Sequence, residues 1–316
     1  MQRSSDTHLC ARLLLAGALI ATGALTGCAS TGTTPPSTPL VAWPDRLQAL
    51  LPTDVLLLGE QHDAPDHQRL QRETVLWLAA KGQLAAVVME MAESGHSTQA
   101  LPRDATDAQA QAALQWNDAA WPWKAYGPVV MAAVAAGVPV LGGNLPRAQM
   151  RAAMGEARWD QHLPAPALAQ QHQALREGHC GLLPESQIAP MARIQIARDA
   201  SMARTAQQAL RPGQTVLLVA GGGHVLRSLG VPTHWPAGLV SKVALAQSGK
   251  APTAIKNEAI KPSDADAVIE TPALPPRDAC AELREKWRPA PYGATVTGCA
   301  RSSAAKSSAG TGRLHR

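Results

Sequence analysis

The sequence predicts one α/β domain with a mostly parallel central sheet flanked by helices and a functional site at the carboxyl ends of the strands. The main observation is a series of short, fully apolar runs separated by helix-length segments, which is typical of strands buried on both faces. About 250 residues remain once the polar ends of the chain are set aside, a suitable size for one large domain. The predicted strands are residues 54–58, 84–89, 138–141, 215–220 and 240–246.

Two amphipathic segments between these strands predict helices that cover the sheet. One follows Asp63, a plausible N-cap, and its helical spacing puts Leu70 and Leu78 on one face. The other is rich in alanine, runs over residues 126–136 and ends at Gly137.

A long helix is predicted over residues 186–210, and its apolar stripe contains a carboxylate. The stripe includes Ile188, Met202 and Leu210, and the helical repeat puts Asp199 in its middle. A buried carboxylate is costly unless it has a partner. Either Asp199 pairs with an arginine or a group of a pocket, or the stripe is partly open to solvent.

The N-terminus predicts an exported lipoprotein. Residues 1–27 combine a positive start with an apolar stretch of 13 residues, which is too short to span a bilayer. They end in Leu-Thr-Gly followed by Cys28, which resembles a bacterial lipobox, so Cys28 is expected to carry the lipid, palmitate included. A secretory signal with a chance cysteine is the alternative. By resemblance to known lipoproteins, Ala29 after this cysteine points to the outer membrane, with the periplasmic face favoured.

Polar segments flank the domain and account for the basic charge. Residues 28–44 predict a flexible tether and residues 301–316 a disordered basic tail, which leaves residues 45–300 as the α/β domain. The net charge is +5, of which residues 1–27 carry +1 and the tail carries +4. The rest of the chain is therefore neutral, and the sequence gives no support for nucleic-acid binding.

Three cysteines remain beyond the lipidation site. Cys280 and Cys299 could form a disulfide, which is chemically favoured outside the cytoplasm. Cys180 is expected by default to be a small buried apolar residue, and a free thiol or a ligand are the alternatives. The spacing of these cysteines matches no zinc motif.

Polar side chains follow four of the predicted strands. Two Gly-x-x-His turns each end an apolar run, and carboxylate, amide or guanidinium groups lie at the other strand ends. Because the carboxyl ends of parallel strands face one crevice, these groups are expected to meet in a single site. The set consists of Glu60, His62, Glu90, Asn144, Arg147 and His224.

Each of these residues also has a structural interpretation when taken alone. A lone histidine is more often a helix cap or a satisfied core residue, Glu60 could favour a helix N-terminus, and Arg147 could pair with Asp199 or Glu90. The glycines before His224 could suggest a phosphate cradle. The sequence contains no G-x-G-x-x-G, no Walker lysine and no G-x-S-x-G elbow, so neither a nucleotide site of those types nor a serine hydrolase is predicted.

Aromatic residues are scarce, and three tryptophans crowd together just before a tyrosine. Trp116, Trp121 and Trp123 precede Tyr126. The tryptophans could line an apolar ligand pocket, but filling a core built mostly of Ala and Leu is the expected role.

Seven short segments carry a resemblance to a known family. They are residues 57–62, 88–91, 123–126, 143–147, 179–181, 195–203 and 222–224. In this order they resemble the ChaN-type haem-binding uptake lipoproteins of the wider Tiki, TraB and erythromycin-esterase-like superfamily. The resemblance covers residues 45–290. It implies an α/β fold and a role in haem or iron acquisition at the bacterial outer membrane.

The resemblance also implies a cofactor site and partners. The expected partners are haem, the outer membrane through the lipid anchor, a TonB-dependent receptor and a second copy in a homodimer. If a tyrosine is the axial ligand of the haem iron, only Tyr126 and Tyr292 can serve, and Tyr126 is the better candidate because it lies in a family-like segment. The expected cofactor-binding residues are His62, Tyr126, Asn144, Arg147, His179 and His224.

A metal-dependent hydrolase, either a peptidase or an esterase, is the alternative function. Glu60, His62, Glu90 and His224 match the polar site of the superfamily and could bind Zn²⁺, Mn²⁺ or Co²⁺, with Glu90 orienting or deprotonating a water molecule. A haem-binding protein is expected rather than an enzyme. A structural envelope lipoprotein with an inactive site stays open as a third interpretation.

Overall fold

The computed structural model describes residues 43–249 and 263–287 and consists of a parallel sheet between two layers of helices. The six strands lie in the order β3-β2-β4-β1-β5-β6, and every neighbouring pair is parallel. The strands are β1 Val55–Glu60, β2 Leu84–Glu93, β3 Val140–Asn144, β4 Thr215–Gly221, β5 Ser241–Ser248 and β6 Ala267–Thr271.

Helices occupy the connections between the strands. Two short 3₁₀ helices lie at Ala157–Gln161 and Val231–His234. Within the described residues, no helix is long and apolar enough to cross a bilayer. The α-helices are α1 Trp43–Ala49, α2 Pro65–Ala80, α3 Asp107–Leu114, α4 Trp123–Ala136, α5 Arg147–Gly155, α6 Ala165–Gly178, α7 Glu185–Gln208, α8 Gly222–Val225 and α9 Ala279–Lys286.

Both faces of the sheet are covered, which explains why the central strands are mostly apolar. Successive side chains of a strand point to opposite faces. Leu56 and Leu58 pack into a core with α2 and α4, whereas Val55 and Leu57 pack into a second core with Met202 of α7. Burying a side chain of this size contributes about 1.5–3 kcal/mol, so the two cores together fix the sheet between its helices.

The predicted fold class is confirmed, and all five predicted strands are present. The sixth strand, β6, is missing from the prediction because only Ile269 and Thr271 of its five residues are buried, which leaves no continuous apolar run. The expected cap of α2 is wrong. Ala64 occupies the cap position without a side-chain hydrogen bond, and Asp63 instead accepts a hydrogen bond from Gln61.

The expected disulfide is also different. Cys280 pairs with Cys180, with a Cα–Cα distance of 5.6 Å, and not with Cys299, which lies outside the described residues. Cys180 follows the end of α6, and Cys280 lies in α9, so the fold brings together two residues that are 100 positions apart. Cys180 is therefore neither a free thiol nor an isolated core residue.

Several predicted features fall on parts of the chain that the structure does not describe. These are the signal segment, Cys28, Tyr292 and the basic tail. Helix α1 begins at Trp43, two residues before the boundary predicted between tether and domain.

Candidate functional site

The site lies where the carboxyl ends of three neighbouring strands meet. β1, β4 and β2 are adjacent, and they end near Glu60, Gly221 and Glu90. His62 follows β1 by two residues, and His224 lies in the short helix α8 that follows β4 directly. The predicted convergence of these groups is therefore present in the fold. We refer to Glu60, His62, Tyr126, Glu90, Asn144, Arg198, Asp199 and His224 as the buried polar cluster. Its carboxylates are buried, whereas the side chain of His62 is 40% exposed.

Glu60 forms one end of the buried polar cluster, and both of its carboxylate oxygens accept hydrogen bonds. One carboxylate oxygen accepts hydrogen bonds from His62 Nδ1 at 2.7 Å and from the Tyr126 hydroxyl at 2.6 Å. The other accepts from Gln68 Nε2 at 2.8 Å and from Gln71 Nε2. Both glutamines lie on α2, so the helix that covers this end of the sheet also supplies hydrogen-bond donors to this carboxylate.

Tyr126 keeps its proton in this arrangement. Its side chain is 1% exposed, and burial together with the neighbouring Glu60 carboxylate strongly raises the pKa of its hydroxyl. The phenol therefore acts as a hydrogen-bond donor to Glu60.

Glu90 lies at the centre of the buried polar cluster. The register of β2 against β3 shifts between Met89 and Glu93, and this irregularity accommodates Glu90 beside the crevice. Its carboxylate accepts hydrogen bonds from the Gly221 N–H at 2.7 Å and from the Arg198 guanidinium. Burial alone would raise the pKa of Glu90, but His224, Arg198 and the Gly221 N–H lower it to about 2.

Asp199 and His224 form a buried pair at the other end. The Asp199 carboxylate is 2.6 Å from His224 Nδ1, and Nε2 of the same ring lies 3.6 Å from Glu90. Burial raises the pKa of Asp199 although His224 opposes this effect. The partner expected for Asp199 is thus a histidine of the pocket, and the alternative of a solvent-exposed stripe is wrong because Asp199 is only 3% exposed.

Arg198 is the member of the cluster that the sequence analysis missed. It projects from α7, and its guanidinium contacts Glu90, Asn144 Oδ1 at 2.9 Å and Gln195 Oε1 at 3.0 Å. Asn144 also donates to the backbone carbonyl of Glu90 at 2.9 Å, so it orients both partners of the ion pair. The sequence feature that could have indicated Arg198 is its position in the predicted helix, directly before Asp199.

Two predicted site residues do not join the cluster. Arg147 is exposed at the start of α5, where its backbone N–H donates to Glu93, and the cation beside Glu90 is Arg198 instead. His179 lies at the end of α6, with Nδ1 2.8 Å from the Leu175 carbonyl, next to the disulfide. Among the described residues, neither side chain forms a hydrogen bond or an ion pair with a member of the cluster.

An apolar cavity of about 670 Å³ opens beside His62, between the N-terminal parts of α2 and α4. The ring of Trp121 contacts His62 edge-on, with ring centroids 4.8 Å apart, and a similar contact joins Trp121 and Tyr126. Trp116, Trp121 and Trp123 all pack against the core, as expected, and Trp121 also lines the apolar cavity. The walls of the apolar cavity include His62, Trp121, Pro122, Ala125, Tyr126 and Pro128.

A second, polar cavity of about 430 Å³ lies on the other side of His62. It is lined by Asp199 and His224 of the buried polar cluster, by Gln171 of α6 and by Gln195 of α7. Gly221 allows the His62 ring to approach, because a Cβ atom at this position would lie 3.0 Å from Nε2. His62 therefore forms a wall shared by the apolar cavity and the polar cavity.

The predicted metal site is not supported. Within the described residues, no group of three His, Cys, Asp or Glu side chains is arranged to hold a metal ion. The reason is visible in the contacts of the predicted ligands Glu60, His62, Glu90 and His224. Protein donors occupy both carboxylates, and the Arg198 guanidinium supplies the cation that Glu90 would otherwise lack.

Comparisons with known proteins agree with this architecture. A sequence model of the family described as "Haem-binding uptake, Tiki superfamily, ChaN" matches residues 46–234, more than half of the chain. No curated protein matches. The structure titled "Cofacial heme binding to ChaN of Campylobacter jejuni" has a TM-score of 0.56 and 24% identity, over 71% of this chain and 89% of that chain. The type III effector HopBA1 gives a TM-score of 0.41 at 14% identity, over 75% and 96% of the two chains.

Proposed function

Because the chain belongs to the ChaN family of haem-binding uptake proteins in the Tiki superfamily, we propose that it binds haem in the apolar cavity beside His62. The observation that carries this proposal is the cavity itself. It combines an apolar lining with a histidine at the wall, and a haem site needs both features.

The size and lining of the apolar cavity fit a tetrapyrrole. Its volume of about 670 Å³ lies within the range of ordinary small-molecule sites. Trp121, Pro122 and Ala125 offer apolar surface to a flat ring system, and burying that surface on binding is favourable. The polar cavity is a poorer fit for an apolar macrocycle because carboxylates, imidazole and amides line it.

In this proposal His62 would hold the haem iron through Nε2. Its Nδ1 is hydrogen-bonded to the Glu60 carboxylate at 2.7 Å. Nε2 lies 4.0 Å from Glu90 Oε2 and faces Gly221, so binding iron in the apolar cavity would require the ring to reorient. A carboxylate behind the ligand is the usual arrangement for a metal-binding histidine, because it fixes the tautomer and raises the basicity of the ring. Tyr126 also lines the cavity, but its proton is held by Glu60, and a tyrosinate ligand would have to lose that proton.

Haem bound at this site would supply redox-active iron, and His62 and the apolar walls would hold and shield it. A titration of the purified domain with haemin, followed at the Soret band, tests the proposal with three variants. His62→Ala is expected to weaken binding and shift the Soret maximum. Tyr126→Phe is expected to keep the wild-type spectrum. His96→Ala is the matched control, since His96 lines neither cavity. Wild-type binding and spectrum in His62→Ala would contradict the assignment of the ligand.

We further propose that the protein is a lipoprotein of the outer membrane that takes part in haem and iron uptake. The support is the lipobox ending at Cys28 and the uptake role of the family. A TonB-dependent receptor and a second copy of the chain are the proposed partners. Labelling with radioactive palmitate is expected to mark the wild-type protein and to be lost in Cys28→Ser. Equal labelling of both proteins would contradict the proposal.

A further inference from the structure

Two cations without partners stand where the apolar cavity meets a longer groove. Arg72 of α2 and Lys124 of α4 line both spaces and are exposed. In the part of the chain that the structure describes, neither side chain has a hydrogen bond or an ion pair. The neighbouring Arg69, in contrast, is paired with Asp66 at 2.8 Å.

The two cations lie on the protein surface and also line the apolar cavity. The adjoining groove has a volume of about 940 Å³, runs along α2 and α4, and shares Arg72, Lys124 and Pro128 with the apolar cavity. Arg72 lies seven residues after Pro65, roughly 10 Å further along the helix axis. A ligand with its apolar body beside His62 would therefore reach the two cations with its distal edge.

Positive charge predominates at this edge. The groove that Arg72 and Lys124 also line contains one carboxylate, Asp107, which accepts a hydrogen bond from Trp123 Nε1 at 2.8 Å. Asp63 is the carboxylate that lines the apolar cavity, and it accepts from Gln61 and pairs with Arg277, 3.4 Å away. It lies at the His62 end of the cavity, just before α2 begins. The opposite end thus presents a guanidinium and an ammonium group to the same apolar space.

We propose that Arg72 and Lys124 bind the two propionate groups of the tetrapyrrole and select for ligands that carry two carboxylates on one edge. This inference rests on the proposed haem function and extends it to the recognition of the ligand's acidic edge. A guanidinium can hold a carboxylate through two parallel hydrogen bonds, whereas an ammonium acts as a point charge. Because both cations are exposed, we expect each to contribute about fivefold to affinity, which is the scale of a good surface ion pair.

The test compares ligands that differ only in charge or in iron. Haemin, iron-free protoporphyrin IX and haemin dimethyl ester are titrated into the wild-type protein, the double variant Arg72→Gln/Lys124→Gln and the control Arg151→Gln. Arg151 is exposed on α5 and lines neither cavity nor groove. Haemin and protoporphyrin IX are followed by absorbance and by quenching of tryptophan fluorescence.

The expected result is a selective loss. The double variant should bind haemin and protoporphyrin IX roughly 20- to 30-fold more weakly and bind the dimethyl ester as the wild-type protein does. The control Arg151→Gln should bind all three ligands as the wild-type protein does. Equal weakening for the ester, or no weakening for haemin, would overturn the role of the two cations while leaving haem binding intact. Binding of none of the three ligands by the wild-type protein would refute the proposed function, and this assignment with it.

Discussion

The ion pair between Arg198 and Glu90 holds the buried polar cluster together, and replacing Arg198 by methionine should destabilise the protein strongly. The side chain of Glu90 is only 2% exposed, so the variant leaves a buried carboxylate with the Gly221 N–H and nearby histidines as its remaining partners. Breaking a buried pair in this way costs about 3–5 kcal/mol. The lowered pKa of Glu90, about 2 against an ordinary 4.5, corresponds to a similar stabilisation of about 3 kcal/mol for the whole set of partners.

A double-mutant cycle measures this coupling. Urea denaturation at pH 7 is carried out on the wild-type protein, Arg198→Met, Glu90→Gln and the double variant. Because Glu90→Gln removes the charge, the second substitution should cost much less in that background, and the coupling free energy should exceed about 1.5 kcal/mol. Additive effects of the two substitutions would refute the interpretation of the pair as the centre of the cluster.

The wild-type protein should also lose stability in acid through this carboxylate. Its folded-state pKa is below the ordinary value, so the stabilisation is present above pH 4.5 and is lost as the pH falls towards 2. Arg198→Met should flatten this part of the stability profile in denaturation experiments between pH 5 and pH 3. An unchanged profile would show that other partners hold the pKa of Glu90 down.

Three further outcomes follow from other contacts. Burial, assisted by the stacked ring of His162, lowers the pKa of His234 to about 3, so stability should fall as the pH drops from 6.5 towards 3, by about 2 kcal/mol at pH 5. His234→Phe should remove that part of the loss in urea denaturation, and an identical pH profile would count against it. Reducing the Cys180–Cys280 disulfide should lower the stability by about 2–5 kcal/mol and so lower the melting temperature. In a variant with serine at both positions, adding reductant should leave the melting temperature unchanged. Tyr126→Phe should cost about 1–2 kcal/mol, since buried Glu60 loses a donor, and unchanged stability would mean that the hydroxyl is dispensable.

The sheet could be predicted because burial on both faces leaves a direct trace in the sequence. β1 and β4 are buried throughout, and residues 55–58 and 216–220 within them are all apolar. β6 lacks this trace, since it alternates between exposed and buried residues, whereas the other edge strand, β3, is buried at four of its five positions. The prediction therefore succeeded where a strand is buried along its length and failed where one face of the strand is exposed.

The site could be predicted where its residues follow strands, and not where they come from helices. Glu60, His62 and His224 belong to turns after apolar runs, so the parallel sheet alone brings them together. Arg198 reaches the cluster from α7, and only the packing of that helix shows that it, rather than Arg147, meets Glu90.

The disulfide and the missing metal site have a similar explanation. The pairing of Cys180 with Cys280 depends on how the end of α6 meets α9, which spacing along the chain does not encode. Glu60 and Glu90 are residue types found in metal sites, but α2 supplies hydrogen-bond donors to Glu60, and the Arg198 guanidinium of α7 forms an ion pair with Glu90. Residue types at strand ends thus indicated a polar site, and only the donors around them revealed its chemistry.

The central claim is that haem occupies the apolar cavity and not the polar cavity, and two matched substitutions test it most directly. Ala125 lines the apolar cavity on α4, and Ala174 lines the polar cavity on α6. Each is replaced by tryptophan, folding is checked by thermal denaturation, and haemin affinity is measured at the Soret band. We predict that Ala125→Trp abolishes binding while Ala174→Trp retains wild-type affinity; retained binding in Ala125→Trp together with loss in Ala174→Trp would contradict the account.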